Sequence, residues 1–559
     1  RPQIKLFREW GNLQVRRKGH VLQERSTTFR YYFRDPSDLV CDPTGSDMPG
    51  LVGLVGLVGL VGLANALQVA WPAKNSAIEK GSETRAGHTN LMTGPRQLNY
   101  LRAEIDYRRH MGPQIEDRAC VTQYSSPVID AFGNIYVASA TGTQFKYSAN
   151  GTVLWSRRLA KRLKKSKCPY AMYPLSSSVL NSGVVFAAAQ NAGMAYALDG
   201  VTGKTLWSQK YAKLGCFCDN PSLAVGAGVL LVAGAGERWG FVATQWTALN
   251  STTGRAMWRS LSPAPMYNPF AVLLTAQTAE ESSFLSMDFE GTVTLQRLTD
   301  GEVRWRVPGV NGSFTMAGSC AVQLSPGTAG LEGRAFCASS GVDSKLTRTQ
   351  HARVHENNIA HTFYEQNLGA WLAGRNFGAP GVVRAIDLAS GAVIWSRPTG
   401  SIDPSGKLIT APASALTGLG VANDLVYVGI GRTGANIGET SPDLLSAYVA
   451  LAASTGATAW VSEPFVTRSG QIKGNAYPTS RSDFNHRVCL PDPFTPPAID
   501  ATGTVYAAAI NGEFRAMDGH TGRTLSSTTL RSAAQGSPAI ADRTVVLLSC
   551  DGLYVFAEK

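Results

Sequence analysis

Nine cysteines, a cluster of histidines and one dense basic run are the residues of this chain with the most obvious capacity for chemistry. The cysteines are Cys41, Cys120, Cys168, Cys216, Cys218, Cys320, Cys337, Cys489 and Cys550. An odd count leaves one thiol over. Cleavage of an apolar leader after Ala66 would remove Cys41 and leave an even set, the arithmetic of disulfides in an oxidising compartment. Cys216-Phe-Cys218 has no second pair at zinc-site spacing. His351 and His355 stand four apart, so on a helix they share a face and could hold a metal with His361, Glu356 or Glu365. The same spacing also suits a polar surface helix.

Arg157, Arg158, Lys161, Arg162, Lys164, Lys165 and Lys167 form a run with no acid among them. Such a run suits a sulfated or phosphorylated polymer or an anionic membrane surface, and equally a solvated loop. No aromatic residue interleaves it, so a single-stranded nucleic acid partner is not expected. Gly429-Ile-Gly431-Arg-Thr-Gly434 has dinucleotide-fingerprint spacing, but no amphipathic helix follows and the glycines read as a turn. Asn150-Gly-Thr, Asn250-Ser-Thr and Asn311-Gly-Ser are glycosylation sequons at turns or loops. No nucleophile, base and orienting group stand out together.

The elements that must position these residues come from a repeat. In Ser125–Trp155 a short apolar run is followed by a turn at Gly133, a β-branched strand Ile135–Ala138, a turn near Gly142, the strand Phe145–Tyr147, and a last strand from Gly151 to Trp155. The glycines serve turns that demand positive φ. Gly-x-x-x-Trp then recurs as Gly151/Trp155, Gly203/Trp207, Gly254/Trp258, Gly301/Trp305, Gly391/Trp395 and Gly456/Trp460. A seventh copy, Gly522 to Ser526, lacks the Trp. Opening strands are read at Pro127, Pro174, Pro221, Pro269, Cys320, Pro412, Pro497 and Pro538. Four strands in a period of about 50 residues signal a propeller or array. The fold class is therefore all-β: an eight-bladed β-propeller of four-stranded antiparallel blades.

The pattern Ala195-Tyr-Ala-Leu-Asp199…Thr202-Gly-Lys-Thr-Leu-Trp207, with Gly503-Thr-Val-Tyr506…Asp518-Gly-His-Thr-Gly522, resembles the pyrroloquinoline-quinone (PQQ)-like repeat of β-propellers over roughly residues 96–559. Trp71-Pro72 and Gly87-His88-Thr89 are similar to that family's lead-in. The resemblance implies two kinds of function. Catalytic members hold PQQ with Ca²⁺ and oxidise alcohols or sugars; alcohol-oxidising members carry an adjacent-cysteine disulfide, a stacking Trp, and Glu, Asn and Asp at the metal. Here no Cys-Cys pair exists, and no Ca²⁺ ligand set is assigned. Non-catalytic members, such as the bacterial outer-membrane assembly lipoprotein, work as scaffolds.

The eighth repeat, Ser537–Lys559, ends without a fourth strand, and an open edge invites aggregation. Leu98–Tyr107 is expected to supply that strand and close the ring. Residues 341–379 are expected as an insertion between the second and third strands of repeat five, with further loops at 432–443 and 462–492. Strand register sends second-to-third and fourth-to-first connections to one face, and all eight cysteines from Cys120 onward map there. Cys320 and Cys337 are the best single pair.

Residues 1–48 read as a low-order basic leader, 49–71 as a hydrophobic low-complexity segment, 72–95 as a linker and 96–559 as the propeller. The apolar stretch Leu51–Leu63 followed by Ala64-Asn-Ala66 reads as a cleaved signal peptide, with an uncleaved membrane tether through 50–71 as the alternative. The expected protein is a monomeric, secreted or lumenal binding scaffold with no cofactor, meeting a protein or anionic polymer through the cysteine-bearing face. The alternative is a divergent PQQ-dependent oxidoreductase with calcium.

Overall fold

The computed structural model describes two short strands near the N-terminus and, from Met92 onward, the strands and their tight turns. Residues 107–125, 160–178, 213–222, 235–242, 311–319, 340–380, 433–442, 469–494 and a few shorter stretches lie outside the described residues. Lys5–Glu9 and Asn12–Arg16 pair as a hairpin, Lys5 opposite Arg16.

Each repeat forms one antiparallel sheet. Blade one contains Val128–Ile129, Ile135–Ala138, Thr143–Tyr147 and Val153–Arg158. Blade two contains Val179–Asn181, Val184–Ala189, Met194–Asp199 and Thr205–Lys210; blade three contains Ala224–Gly226, Val229–Gly234, Ala243–Asn250 and Ala256–Met266. Blades four and five run from Ala271–Leu274 to Val303–Val307 and from Cys320–Leu324 to Val393–Pro398. Blade seven runs from Ala498–Ile499 to Thr524–Thr529. In blade six both edges are split: Ser414–Leu416 and Gly420–Ala422 pair with Leu425–Arg432, while Thr458–Val461 and Phe465–Arg468 pair with Asp443–Ala452. First strands touch in succession from blade two to blade eight, and that of blade eight, Ala539–Ala541, meets that of blade one. Their hub residues are small and aliphatic, among them Ala224, Ala271, Val421, Ala498 and Ala539, all buried.

Leu101–Asp106 pairs antiparallel with Gly552–Ala557, so the N-terminal side of the ring supplies the fourth strand of blade eight. Residues from Met92 to Gly94 also bond to the ring. Arg543 donates its backbone N–H to Thr93 O, Ala501 donates to Met92 O, and Gly94 donates to the buried Asp500 carboxylate.

The Gly-x-x-x-Trp motif joins neighbouring blades. Each Trp indole donates its Nε1–H to the third-to-fourth turn of the next blade. The acceptors are the carbonyls of Gly200, Ser251, Leu298, Leu388, Ala453 and Gly519. The indole lies on the glycine of that same turn: a Cβ on Gly203 would stand 2.7 Å from Trp155, and one on Gly522 would stand 2.5 Å from Trp460. Glycine is therefore required by contact as well as by the turn. Blade eight has no such turn, because two chain segments meet there. Accordingly blade seven carries Ser526, whose hydroxyl accepts the Leu98 N–H at 2.9 Å. Blade eight presents Ala103 and Ile105 to Gly151 in place of an indole.

The openings read at Pro174 and Pro221 lie outside the described residues; the first described strands of repeats two and three are Val179–Asn181 and Ala224–Gly226. Two expectations are corrected. Gly429 and Gly431 are in a strand, opposite Tyr448 and Ser446, and form no turn; Gly434 lies outside the described residues. The stretch 462–492 begins with the strand Phe465–Arg468, held by pairing to Asp443–Ser446.

Candidate functional site

Connections between second and third strands, and from fourth strands to the next first strand, leave the ring on one face, here the loop face. All eight long stretches named above occupy such connections. The insertion expected at 341–379 falls between Gly333–Ser339 and Val382–Asp387, which pair directly with Ser339 opposite Val382. The opposite face is made of short first-to-second and third-to-fourth turns, where the indoles dock.

Of the eight expected cysteines the structure brings together two. Cys320 and Cys337 are cross-strand partners in blade five, joined by a disulfide with Cα atoms 4.2 Å apart, and both are fully buried. Cys320 opens its strand and Cys337 nears the end of its own, so the bridge lies toward the loop face at the root of the insertion. Cys120, Cys168, Cys216, Cys218, Cys489 and Cys550 lie outside the described residues, as do Cys41, His351, His355, His361, Glu356 and Glu365.

Arg157 and Arg158 end the outer strand of blade one, which runs past Trp155. Arg157 Nε donates to Gly203 O at 3.0 Å, so this cation helps hold blade two. Lys161, Arg162, Lys164, Lys165 and Lys167 lie outside the described residues. Asn150 is exposed in a third-to-fourth turn. Asn250 ends a strand, and its Oδ1 accepts the N–H groups of Thr252 and Thr253 and the Thr253 hydroxyl. Asp199 and Asp518 make the same turn in blades two and seven. Asn250 therefore fills a structural slot of the repeat. Asn311 lies outside the described residues.

Sequence reasoning missed Arg384. It stands opposite Cys337 on one side and Ser396 on the other, and is 4 % exposed. Its Nη1 and Nη2 donate to Pro308 O at 2.5 Å and Gly291 O at 2.7 Å, both in blade four. Burial lowers its pKa from the ordinary arginine value. The same slot, across from the residue after the Trp position, holds Tyr196 in blade two and Arg515 in blade seven. Tyr196 donates its hydroxyl to Leu159 O at 3.0 Å. Arg515 donates to Glu463 O and Pro464 O, pairs with Glu513 and lies over the Phe465 ring. Leu159, Pro308, Glu463 and Pro464 follow the outer strand of the preceding blade, and Gly291 lies in a second-to-third connection of it. These latches hold blade interfaces toward the loop face as the indoles hold them at the turn face. Only tertiary register marks the slot, since it holds Tyr in one blade and Arg in another.

Asp288 is the perturbed carboxyl of this face. It is 3 % exposed in the second-to-third connection of blade four. Burial pushes it up from 3.8 to about 6, although its oxygens accept the N–H groups of Thr292, Glu290 and Ala264. At the turn face Asp130 accepts the Tyr136 hydroxyl and lies 3.6 Å from Lys146 Nζ. Lys146, lowered by burial, donates to Gly200 O. These groups are consumed by blade-to-blade bonding.

A PQQ–Ca²⁺ pair needs an oxygen-rich donor set and a flat aromatic wall. Among the described residues that set does not assemble. The disulfide is buried within one blade, six indoles are committed to turns on the opposite face, and the hub strands present aliphatic groups. The described residues do not fit the cofactor.

Comparison with known proteins agrees with this architecture. The family described as outer membrane protein assembly factor BamB matches residues 146–397. No curated protein sequence matches the chain. The quinohemoprotein alcohol dehydrogenase of Comamonas testosteroni superposes with a TM-score of 0.54 at 11% identity, over 87% of this chain and 80% of that one. A europium-containing methanol dehydrogenase gives 0.53 at 11%, over 87% and 98%. BamB of Moraxella catarrhalis gives 0.48 at 13%, over 82% and 99%. At such identities the two dehydrogenase superpositions speak to fold alone. Eight antiparallel blades with the recurring Gly-x-x-x-Trp make this chain an eight-bladed β-propeller, similar over residues 146–397 to the family described as outer membrane protein assembly factor BamB.

Proposed function

We propose that this propeller is a non-catalytic binding scaffold that seats a protein partner on its loop face. The observation that carries the reading is the division of labour between faces. Every long connection departs from the loop face, beyond what the blades need in order to turn. The turn face is taken up by docked indoles and by the Met92–Leu98 segment. The matched family is described as an assembly factor, which favours a partner that is itself a protein. The buried Cys320–Cys337 bridge supports a secretory or other oxidising compartment.

Replacing residues 341–379 by a short Gly-Ser link tests this. The flanking strands already pair, so the blade is expected to survive. Chemical crosslinks to the partner are expected to map to the loop face and to disappear in that variant. Crosslinks confined to third-to-fourth turns refute the proposal. Dye-linked alcohol oxidation on adding PQQ and Ca²⁺ to the intact protein would instead support the oxidoreductase reading.

A further inference from the structure

Two large apolar side chains stand in open solvent on the turn face. Phe132, in the first-to-second turn of blade one, and Val201, in the third-to-fourth turn of blade two, are each 69% exposed. The position of Val201 holds Thr252, Thr299, Ala389, Ser454 and His520 in blades three to seven, and Thr502 stands in blade seven where Phe132 stands in blade one. The two tips are neighbours. The Tyr136 hydroxyl lies 3.0 Å from an Asp130 carboxylate oxygen in the Phe132 turn and 3.1 Å from Gly200 O in the Val201 turn. Each turn is fixed from within: Phe132 N–H donates to Asp130 Oδ1 at 2.9 Å, and Val201 N–H to Asp199 Oδ1 at 3.2 Å.

The exposed charges around the tips have one sign. Lys204 and Arg255 are exposed in the third-to-fourth turns of blades two and three, and Arg157 is exposed beside them, bonded through Nε to Gly203 O. The acids of these turns, Asp130 and Asp199, are buried and half-buried and accept N–H groups of their own turns. Blade four, by contrast, exposes Glu280, Glu281, Asp300 and Glu302, which limits the basic sector to blades one to three. Two separate tips offer too little for a protein interface, which covers about 800 Å² per partner around an apolar centre. They suit shallow insertion at a lipid surface, with the cations drawn to anionic headgroups. The chain also joins the ring on this face. Met92–Gly94 bond to the first-to-second turns of blades seven and eight, so a tether through 50–71 would enter from the same side.

We propose that the turn face of blades one to three docks reversibly on an anionic lipid bilayer, with Phe132 and Val201 among the headgroups and Arg157, Lys204 and Arg255 against lipid phosphates. The inference does not rest on the loop-face reading; it leaves the loop face on the side away from the bilayer, open to a protein.

The full chain is mixed with vesicles of equal parts phosphatidylglycerol and phosphatidylcholine. Photoreactive benzoylphenylalanine is placed at Phe132, at Val201 or at Ala389, the position in blade five that matches Val201. It reports contact with acyl chains whatever else holds the protein to the vesicle. Lipid crosslinks are expected from positions 132 and 201 and not from 389. With vesicles limiting, Lys204→Gln and Arg255→Gln should each lower the yield at 132 by about fivefold. Vesicles of phosphatidylcholine alone should give little crosslinking, and thermal melting establishes that each variant keeps the ring. Absence of lipid crosslinks at 132 and 201 overturns the proposal, as does an equal yield at 389 or on neutral vesicles. Crosslinks from 132 to a second copy of the chain, with none to lipid, overturn it in favour of self-association.

Discussion

Gly254 and Gly228 offer a matched pair of perturbations in blade three. Both have positive φ, +73° and +76°. A Cβ on Gly228 would meet nothing within 4 Å, whereas one on Gly254 would stand 2.7 Å from Trp207 Cε3 and 2.8 Å from Cδ2. Gly228→Ala therefore incurs only the left-handed backbone strain, about 1 kcal/mol. Gly254→Ala incurs that strain and must also displace the indole. Trp207 Nε1 would lose its 2.9 Å bond to Ser251 O and part of its packing on the turn. The lost bond is worth about 1 kcal/mol and overpacking adds about 1–2 kcal/mol, so Gly254→Ala should cost roughly 2 kcal/mol more than Gly228→Ala. Urea unfolding followed by far-UV circular dichroism reads the difference without relying on the indole signal. Adding Trp207→Ala should remove the excess, so that Gly254→Ala in that background costs only what Gly228→Ala costs. Equal costs for the two glycine variants, or no coupling to Trp207, would refute the docking argument.

Deleting residues up to Tyr107 should lower the melting temperature, because it unpairs Gly552–Ala557 and removes the buried Ile105; unchanged melting would count against closure of the ring. The double variant Cys320→Ala/Cys337→Ala should lose about 2–4 kcal/mol in chemical denaturation, since the bridge closes a loop of sequence separation 17. Asp288 titrates near 6 when folded and at an ordinary 3.8 when unfolded. The folded chain thus holds the extra proton between those values. Its contribution to stability is complete below about 4 and declines as pH rises through about 6. Asp288→Asn should flatten that part of the pH–stability curve, as measured by melting across buffers. Tyr196→Phe should destabilise the ring by about 1 kcal/mol through loss of the bond to Leu159 O, read by the same denaturation assay.

Strands, turns and blade number were legible in the chain because they are local. A turn glycine, a β-branched run and an apolar opening each act within a few residues, and eight repetitions outweigh any single misreading. Closure by Leu101–Asp106 was also legible, from the rule that a sheet edge must be covered. The cross-strand placement of Cys320 and Cys337 followed from strand register.

Only the folded ring reveals why the motif takes the form Gly-x-x-x-Trp. Its two residues serve different interfaces: Gly254 receives Trp207 from the blade before, and Trp258 goes on to Gly301 in the blade after. Ser526 replaces Trp because the next blade has no turn to dock on. Arg384 reaches carbonyls 93 and 76 residues away. These features depend on how one sheet faces the next, and no window of sequence contains both sides of such a contact.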